Sequence, residues 1–246
     1  MWVQVVKLDF TILWGEPGLL ILQGLAVTLK LAAWSLFFAF LIGLVFGIVR
    51  WLDFRLTRPV CWLYVEFSRN TPPVVQILFW YFSASYILPP WLFLQLRDFG
   101  YEFSAAVLAL AIYHGAFIAE VFRAGLNSVP KGQYEAARAL SLAFSRTLGD
   151  VILPQAVRIV IPPLINEATA LIKNTSLAMA IGVIELTYQY KHIDIFMFRG
   201  VEALALVTLI YLILCLLTAG IGKILNTYLS RHTVRVAVPG GLPISE

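Results

Sequence analysis

Charge is what this sequence has least of. Only 13% of its 246 residues are Asp, Glu, Lys or Arg, against 60% hydrophobic and 14% aromatic. A soluble domain carries about a quarter charged residues, and half that share cannot solvate a water-facing surface. The apolar fraction also excludes a disordered chain. Cysteine is nearly absent. Cys61 and Cys215 are far apart, with no C-x-x-C and no histidine beside either, so they read as buried thiols, and two cannot staple a secreted scaffold. No G-x-x-x-x-G-K-[ST], H-E-x-x-H or G-x-S-x-G occurs anywhere, which removes the usual signatures of nucleotide hydrolysis, zinc proteolysis and serine esterases. Three scattered histidines argue against a membrane-embedded enzyme. With a mean hydropathy of +0.84, the composition is that of an integral membrane protein. Its net charge of +4 then belongs to loops on one side of a bilayer, with no nucleic acid partner.

About 20 mostly apolar residues span the hydrocarbon as a helix. Long uncharged runs, in place of alternating ten-residue segments, favour helices over a barrel. Gly18 to Val49, interrupted only by Lys30, is one run. Thr71 to Leu96, broken by Pro89-Pro90, is a second, Phe103 to Ala119 a third, and Ala203 to Gly222 the cleanest. Between the last two, Ile159 to Ile184 holds Pro162-Pro163, Glu167 and Lys173 and forms a compromised span, making five. Basic residues alternate along the chain. They are sparse before the first span, denser after it (Arg50, Arg55, Arg58), sparse after the second (Arg97), and densest after the third (Arg123, Lys131, Arg138, Arg146, Arg158). The positive-inside rule then places the N-terminus outside and the C-terminus in the cytoplasm. Residues 1–17 are expected to be an extracytoplasmic segment without a signal peptide, 18–230 the transmembrane domain, and 231–246 a cytoplasmic tail. Tryptophans such as Trp51 and Trp91 suit interfacial belts, and Gly43 and Gly47 form a G-x-x-x-G suited to close helix contact.

The long loop after the third span carries the most information. Glu135 to Leu140 is rich in helix-forming alanine. Ser141 is expected to loosen or end that helix. A second stretch from Phe144 to Leu153 should be stopped by Pro154. A short helix with small alanines on one side either caps the bundle or seats in a groove of another protein. Glu135-Ala136-Ala137, three residues, Ser141, nine residues, then Val151-x-Leu153-Pro154 resembles the EAA loop of permease subunits in ABC importers, whose pattern is E-A-A, three residues, Gly, nine residues, I-x-L-P. Ser141 replaces the usual Gly, which bears on turn geometry because Gly reaches positive φ cheaply and Ser does not. Tyr64 to Gln76, Ala119 to Gly125, Val129 to Gln133, Leu153 to Ala156 and Ile172 to Leu177 look like the polar amino acid uptake permeases, which include histidine, glutamine, arginine and glutamate/aspartate systems.

The resemblance implies an all-α integral membrane protein with five transmembrane helices, the type I ABC importer permease fold with a cytoplasmic coupling helix, in a bacterial inner membrane. It implies a second permease subunit (identical or paralogous), two ATP-binding-cassette ATPases, and an extracytoplasmic amino-acid-binding protein. This chain itself binds no cofactor; ATP and Mg belong to the ATPase. Glu135, Ala136, Ala137, Ser141, Leu153 and Pro154 would form the coupling loop, the two alanines allowing close approach and Glu135 favouring the positive helix N-terminus. The alternative is an ion-gradient-driven secondary amino acid transporter, which predicts two comparable halves; five spans do not halve.

The compromised span is the place to seek the pathway. Charge inside a bilayer costs a few kcal/mol and faces a partner or cavity, and Pro162-Pro163 should interrupt the helix. Glu167 and Lys173 stand about 120° apart around a helix, so each should meet something else. Asn166, Glu167, Lys173, Asn174 and Ser176 are the candidate pathway residues, with Gln76 a further one; gluing helices together is the competing role for the amides and hydroxyls. Glu120 and Arg123, at i and i+3, should pair. His114 reads as hydrogen-bonded packing.

Overall fold

The structure, a computed structural model, describes residues 15–230. The expected tail at 231–246, and the expected outer segment apart from its last three residues, lie outside that range. The described chain contains no strand. Its long apolar helices are α1 (Glu16–Leu52), α5 (Tyr101–Asn127), α8 (Leu153–Asn174) and α10 (Gly200–Ser230). Between them come α2 (Arg58–Asn70), α3 (Pro73–Ile87), α4 (Pro90–Asp98), α6 (Lys131–Ala139), the single turn α7 (Phe144–Arg146) and α9 (Leu186–Met197).

Among the described residues, four segments are long and apolar enough to cross a membrane: Glu16–Leu52, Tyr101–Asn127, Phe144–Ile181 and Gly200–Leu229. The second expected span differs. Pro89-Pro90 splits it into α3, of 15 residues, and α4, of 9. At 1.5 Å per residue α3 reaches about 22 Å, short of the roughly 30 Å hydrocarbon core. Leu88 takes an extended conformation (φ −81°, ψ 146°), as the residue before a proline prefers.

Two further expectations are corrected in the fourth span. Pro162-Pro163 does not interrupt it, because α8 runs unbroken from Leu153 to Asn174 with both prolines inside. Proline's φ is already helical, and breaking the helix would free further N–H and C=O groups where lipid cannot take them. Nor does Pro154 stop the preceding stretch. The chain continues through a π-turn at Thr147–Ile152 into the first turn of α8, where the missing proline N–H is least costly. The actual change of geometry comes later. Thr175–Ile181 tightens to a 3₁₀ helix and ends at Gly182, φ +87°.

Helix α5 is the post around which the others stand. Its buried side is made of small residues, including Ala105, Ala106, Ala109, Ala116 and Ala119, so α1, α2, α3 and α8 all reach it. The G-x-x-x-G of α1 lies in this contact. A Cβ on Gly43 would strike Ile118, and one on Gly47 would stand 2.6 Å from Phe122 Cβ and 2.8 Å from the Ala119 carbonyl oxygen. Across the bundle, α9 is tied down at its N-terminus. The carboxylate of Glu185, which is fully buried, accepts from the N–H groups of Thr187 and Tyr188 and from Tyr211 Oη, each at 2.8 Å. The Thr28 hydroxyl of α1 accepts from Leu186 N at 3.1 Å. The segment 187–199, opaque in sequence, is therefore a docked helix as far as Met197, closed by a left-handed Phe198. By contrast, α10 turns Leu209, Leu212, Leu216 and Ile221 outward, the face expected of a helix solvated by lipid.

Gly47→Ala should force α1 and α5 apart and lower stability by about 1–3 kcal/mol, seen as a lower thermal midpoint in detergent. Gly220→Ala, at a position with nothing within 4 Å of the added Cβ, should leave the midpoint within about a degree or raise it slightly.

Candidate functional site

Two sets of candidate residues occupy opposite ends of one continuous stretch, Phe144–Ile181 and the elbow that feeds it. At the elbow, α6 rests on the bundle through Ala137, 3% exposed, and through Tyr134, which packs with Leu126, Val129, Ile152 and Ala156. Glu135 and Ala136 face outward. Ala137 is thus spent on the chain's own core, which corrects the expectation that both alanines offer a partner close approach. Helical periodicity sets the two alanines 100° apart, and here that turns Ala137 onto the bundle and leaves Ala136 exposed. Glu135 is also the fifth residue of α6, beyond the first turn where a carboxylate favours the helix N-terminus, so that expected role fails.

The end of α6 explains the residue at position 141. Ser141 N–H donates to Arg138 O at 2.9 Å and Leu142 N–H to Ala137 O at 3.0 Å. These are the two bonds of a Schellman motif, whose residue just past the C-cap is left-handed. Ser141 has φ +56°. A glycine would take this conformation freely; serine does not. The turn throws Leu140 and Phe144 into solvent, 74% and 65% exposed, beside Glu135 and Ala136. Past α7, the wider π-turn gives room for the Pro154 ring, which in a regular helix would press on the carbonyl four residues earlier. Leu153 and Pro154 are exposed, while Ile152 between α6 and α8 is fully buried.

Inside the bundle, α5 and α8 meet at a polar group. His114, fully buried, has Nδ1 at 2.5 Å from Glu167 Oε1 and Nε2 at 3.2 Å from Asn174 Nδ2. An amide nitrogen only donates, so with Asn174 Nδ2 turned to the ring Nε2 accepts and Nδ1–H donates to the Glu167 carboxylate. Glu167 and Asn174, seven residues and two turns apart, lie on one face of α8, and the imidazole spans them. Its hydrogen bonding follows expectation; its partners were not legible, because the pairing crosses between helices far apart in sequence. Glu167 and Lys173 do not pair with one another. Lys173 is exposed, with its carbonyl accepting from Ser176 Oγ at 2.7 Å, and Asn166 is exposed on α8. Gln76 differs: it is 3% exposed and its Nε2 donates to Ser68 O at 2.9 Å. It bolts α3 to α2 and presents nothing to an open path.

A third polar group links α1 to α5. Glu120 pairs with Arg123, as its i, i+3 spacing predicts, and also accepts from Arg50 Nη1 at 2.8 Å.

Residues 35–231 match the family described as binding-protein-dependent transport system inner membrane component. The chain belongs to that family. It is 38% identical over 211 residues to the glutamine transport system permease protein GlnP of Escherichia coli (strain K12), covering 86% of this chain and 93% of that one. It is 34% identical over 206 residues to the arginine transport system permease protein ArtQ of Bacillus subtilis (strain 168), covering 82% and 89%. Among solved structures it is similar to a chain in the crystal structure of an amino acid ABC transporter with histidines, at TM-score 0.76 and 29% identity over 90% of this chain and 99% of that chain. A chain of the inward-facing MetNI methionine ABC transporter, at 21% identity and TM-score 0.73, over 87% of this chain and 99% of that one, shares the fold. The chain is accordingly a multi-pass permease component of the inner membrane with the type I importer fold, and the ion-gradient alternative is set aside.

Ser141→Gly should relieve the left-handed strain and stabilise the elbow by about 1 kcal/mol, seen as slower proteolysis there; Ser141→Val should speed it. His114→Ala strands a carboxylate and an amide in the bundle at about 1–3 kcal/mol, so its thermal midpoint should fall. Gln, whose amide can donate to Glu167 and accept from Asn174, should recover part of the loss.

Proposed function

We propose that this permease carries a polar amino acid inward across the membrane, powered by two ATP-binding-cassette ATPase subunits that bind ATP and Mg. It pairs with a second permease chain and receives its substrate from an extracytoplasmic binding protein. What supports this reading is the continuity of Phe144–Ile181. The chain leaves an exposed elbow and, with no loop in between, becomes the helix that carries Glu167 and Asn174.

Glu135, Ala136, Leu140 and Phe144 offer a partner one carboxylate, one small approach point and two apolar knobs. The elbow is held to its own bundle by Ala137, Ile152 and the turn at Ser141. Force applied there passes through the π-turn, Leu153 and Pro154, into α8 as displacement instead of dissipating in a flexible loop. This requires the elbow on the cytoplasmic side, with the N-terminus outside and the C-terminus inside, as the basic residues argue.

At the other end, Glu167 is a carboxylate suited to a substrate ammonium. Asn166, Asn174 and Ser176 can hydrogen-bond an α-amino acid, and Lys173 offers a charge for its carboxylate. His114 keeps Glu167 turned toward α5 until a substrate competes for it. No group in this chain performs a chemical step; the work is selective binding and a change of access.

In proteoliposomes holding the complete complex and binding protein, uptake should require ATP, and a panel of acidic, amide and basic amino acids should identify the substrate. Glu135→Lys should weaken co-purification with the ATPase and cut uptake at least tenfold, a loss of about 1.4 kcal/mol or more in coupling. Full uptake by that variant would remove the elbow from the drive mechanism. Glu167→Gln should raise the substrate concentration for half-maximal uptake; unchanged uptake would take Glu167 out of the pathway.

A further inference from the structure

At the end of the bundle from which α6 departs, the last turns of α1 and α5 and the start of α2 enclose a cavity of about 400 Å³. Arg50, Arg58 and Arg123 line it, with Asp53, Trp51 and Trp62. The three guanidiniums face two carboxylates. Glu120 takes both Arg50 and Arg123, and Asp53 takes Arg58. The Arg58 guanidinium holds the Asp53 carboxyl below its usual range, so it stays ionised and the cluster carries one net positive charge.

Every arginine also keeps hydrogen-bonding capacity in hand. Among the described residues Arg50 bonds through Nη1, while Arg58 and Arg123 each bond through Nε and Nη2. A guanidinium has five N–H donors, so each still has donors to offer an anion. The carboxylates hold the arginines in place without exhausting them.

The rim tells what kind of anion. Trp62 lines the cavity, and in the stretch of chain that runs past Asp53 and Arg58 into α2, Phe54, Leu56, Val60 and Leu63 are exposed with it, Leu56 at 90%. Such a rim is costly in water and suits the boundary between acyl chains and headgroups, where tryptophan collects. A freely diffusing anion has no need of an apolar approach, whereas a phospholipid brings its own chains to cover these side chains. Basic clusters next to spanning helices attract anionic lipid.

We propose that this cavity is a binding site for the phosphate-bearing headgroup of an anionic phospholipid, held by Arg50, Arg58 and Arg123, with its acyl chains lying along the exposed face of α2. The site is distinct from the Glu167 group and adjoins the elbow through Trp51, which packs on the same cluster as Tyr134. A lipid bound there bridges α1, α2 and α5 at their shared end.

The test is native mass spectrometry of the full-length protein, purified in mild detergent with the subunits that travel with it. It is titrated with phosphatidylglycerol, phosphatidylcholine or inorganic phosphate. Phosphatidylglycerol should be retained at least about fivefold better than phosphatidylcholine, Arg58→Gln should cost about fivefold, and Asp53→Asn should improve retention. Both substitutions lie at exposed positions, and circular dichroism checks that each variant folds. If Arg58→Gln fails to fold, the Asp53→Asn variant and the lipid comparison on the unsubstituted protein decide. Equal retention of the two lipids, or a folded Arg58→Gln variant that retains phosphatidylglycerol unchanged, overturns the proposal. So does displacement of the lipid by millimolar phosphate, which would make the site one for a soluble anion, and so does failure to retain any lipid because a partner subunit covers the cavity.

Discussion

The small-residue surface of α5 is the constraint on which the rest depends. In lipid, helices are not driven together by the hydrophobic effect, because acyl chains are as apolar as leucine; close backbone approach must supply the attraction. Alanines along α5 and the two glycines of α1 allow that approach. Without it, α1 could not lie near enough for Arg50 to reach Glu120, nor α8 near enough for Glu167 to reach His114. The polar contacts inside the bundle are consequences of tight packing before they are contributors to it. Once formed they become specific, since a carboxylate in a bilayer interior has few acceptable neighbours.

That dependence gives the molecule its division of labour. Polar side chains within the bundle hold helices in register and, at one place, join α5 to α8 through His114, Glu167 and Asn174. Those at the ends hold elements in orientation: Glu185 seats α9 on α10 and Thr28 ties it to α1, and the Schellman turn at Ser141 sets the angle at which the chain leaves α6. A rigid elbow is the expected solution for a machine driven from outside. Motion is useful only if it arrives undiminished, and a buried alanine, a buried isoleucine and a two-bond turn resist bending far better than a free loop would.

The proline pairs show how environment overrides a local signal. Pro89-Pro90 splits a span and Pro162-Pro163 does not, although the dipeptides are identical. The first lies between α3 and α4, where Leu88 can extend and the freed groups lie near the end of an apolar run. The second lies in mid-helix, where extension would leave peptide groups without partners. Propensity is a preference, and the surrounding solvent decides whether it is expressed.

Composition and spacing alone established a helical membrane protein, four of its long spans, the elbow with its EAA pattern, and the pairing of Glu120 with Arg123, because each depends on hydropathy or on helix periodicity within one segment. Tertiary structure alone decided that Ala137 faces inward while Ala136 faces out, that Gln76 is a bolt, that a lone histidine joins Glu167 to Asn174, and that three arginines share one cavity. These depend on which elements become neighbours, and contact between separate elements leaves no periodic trace in a single chain. The same limit hid the carboxylate of Glu185, whose partners include a hydroxyl 26 positions away.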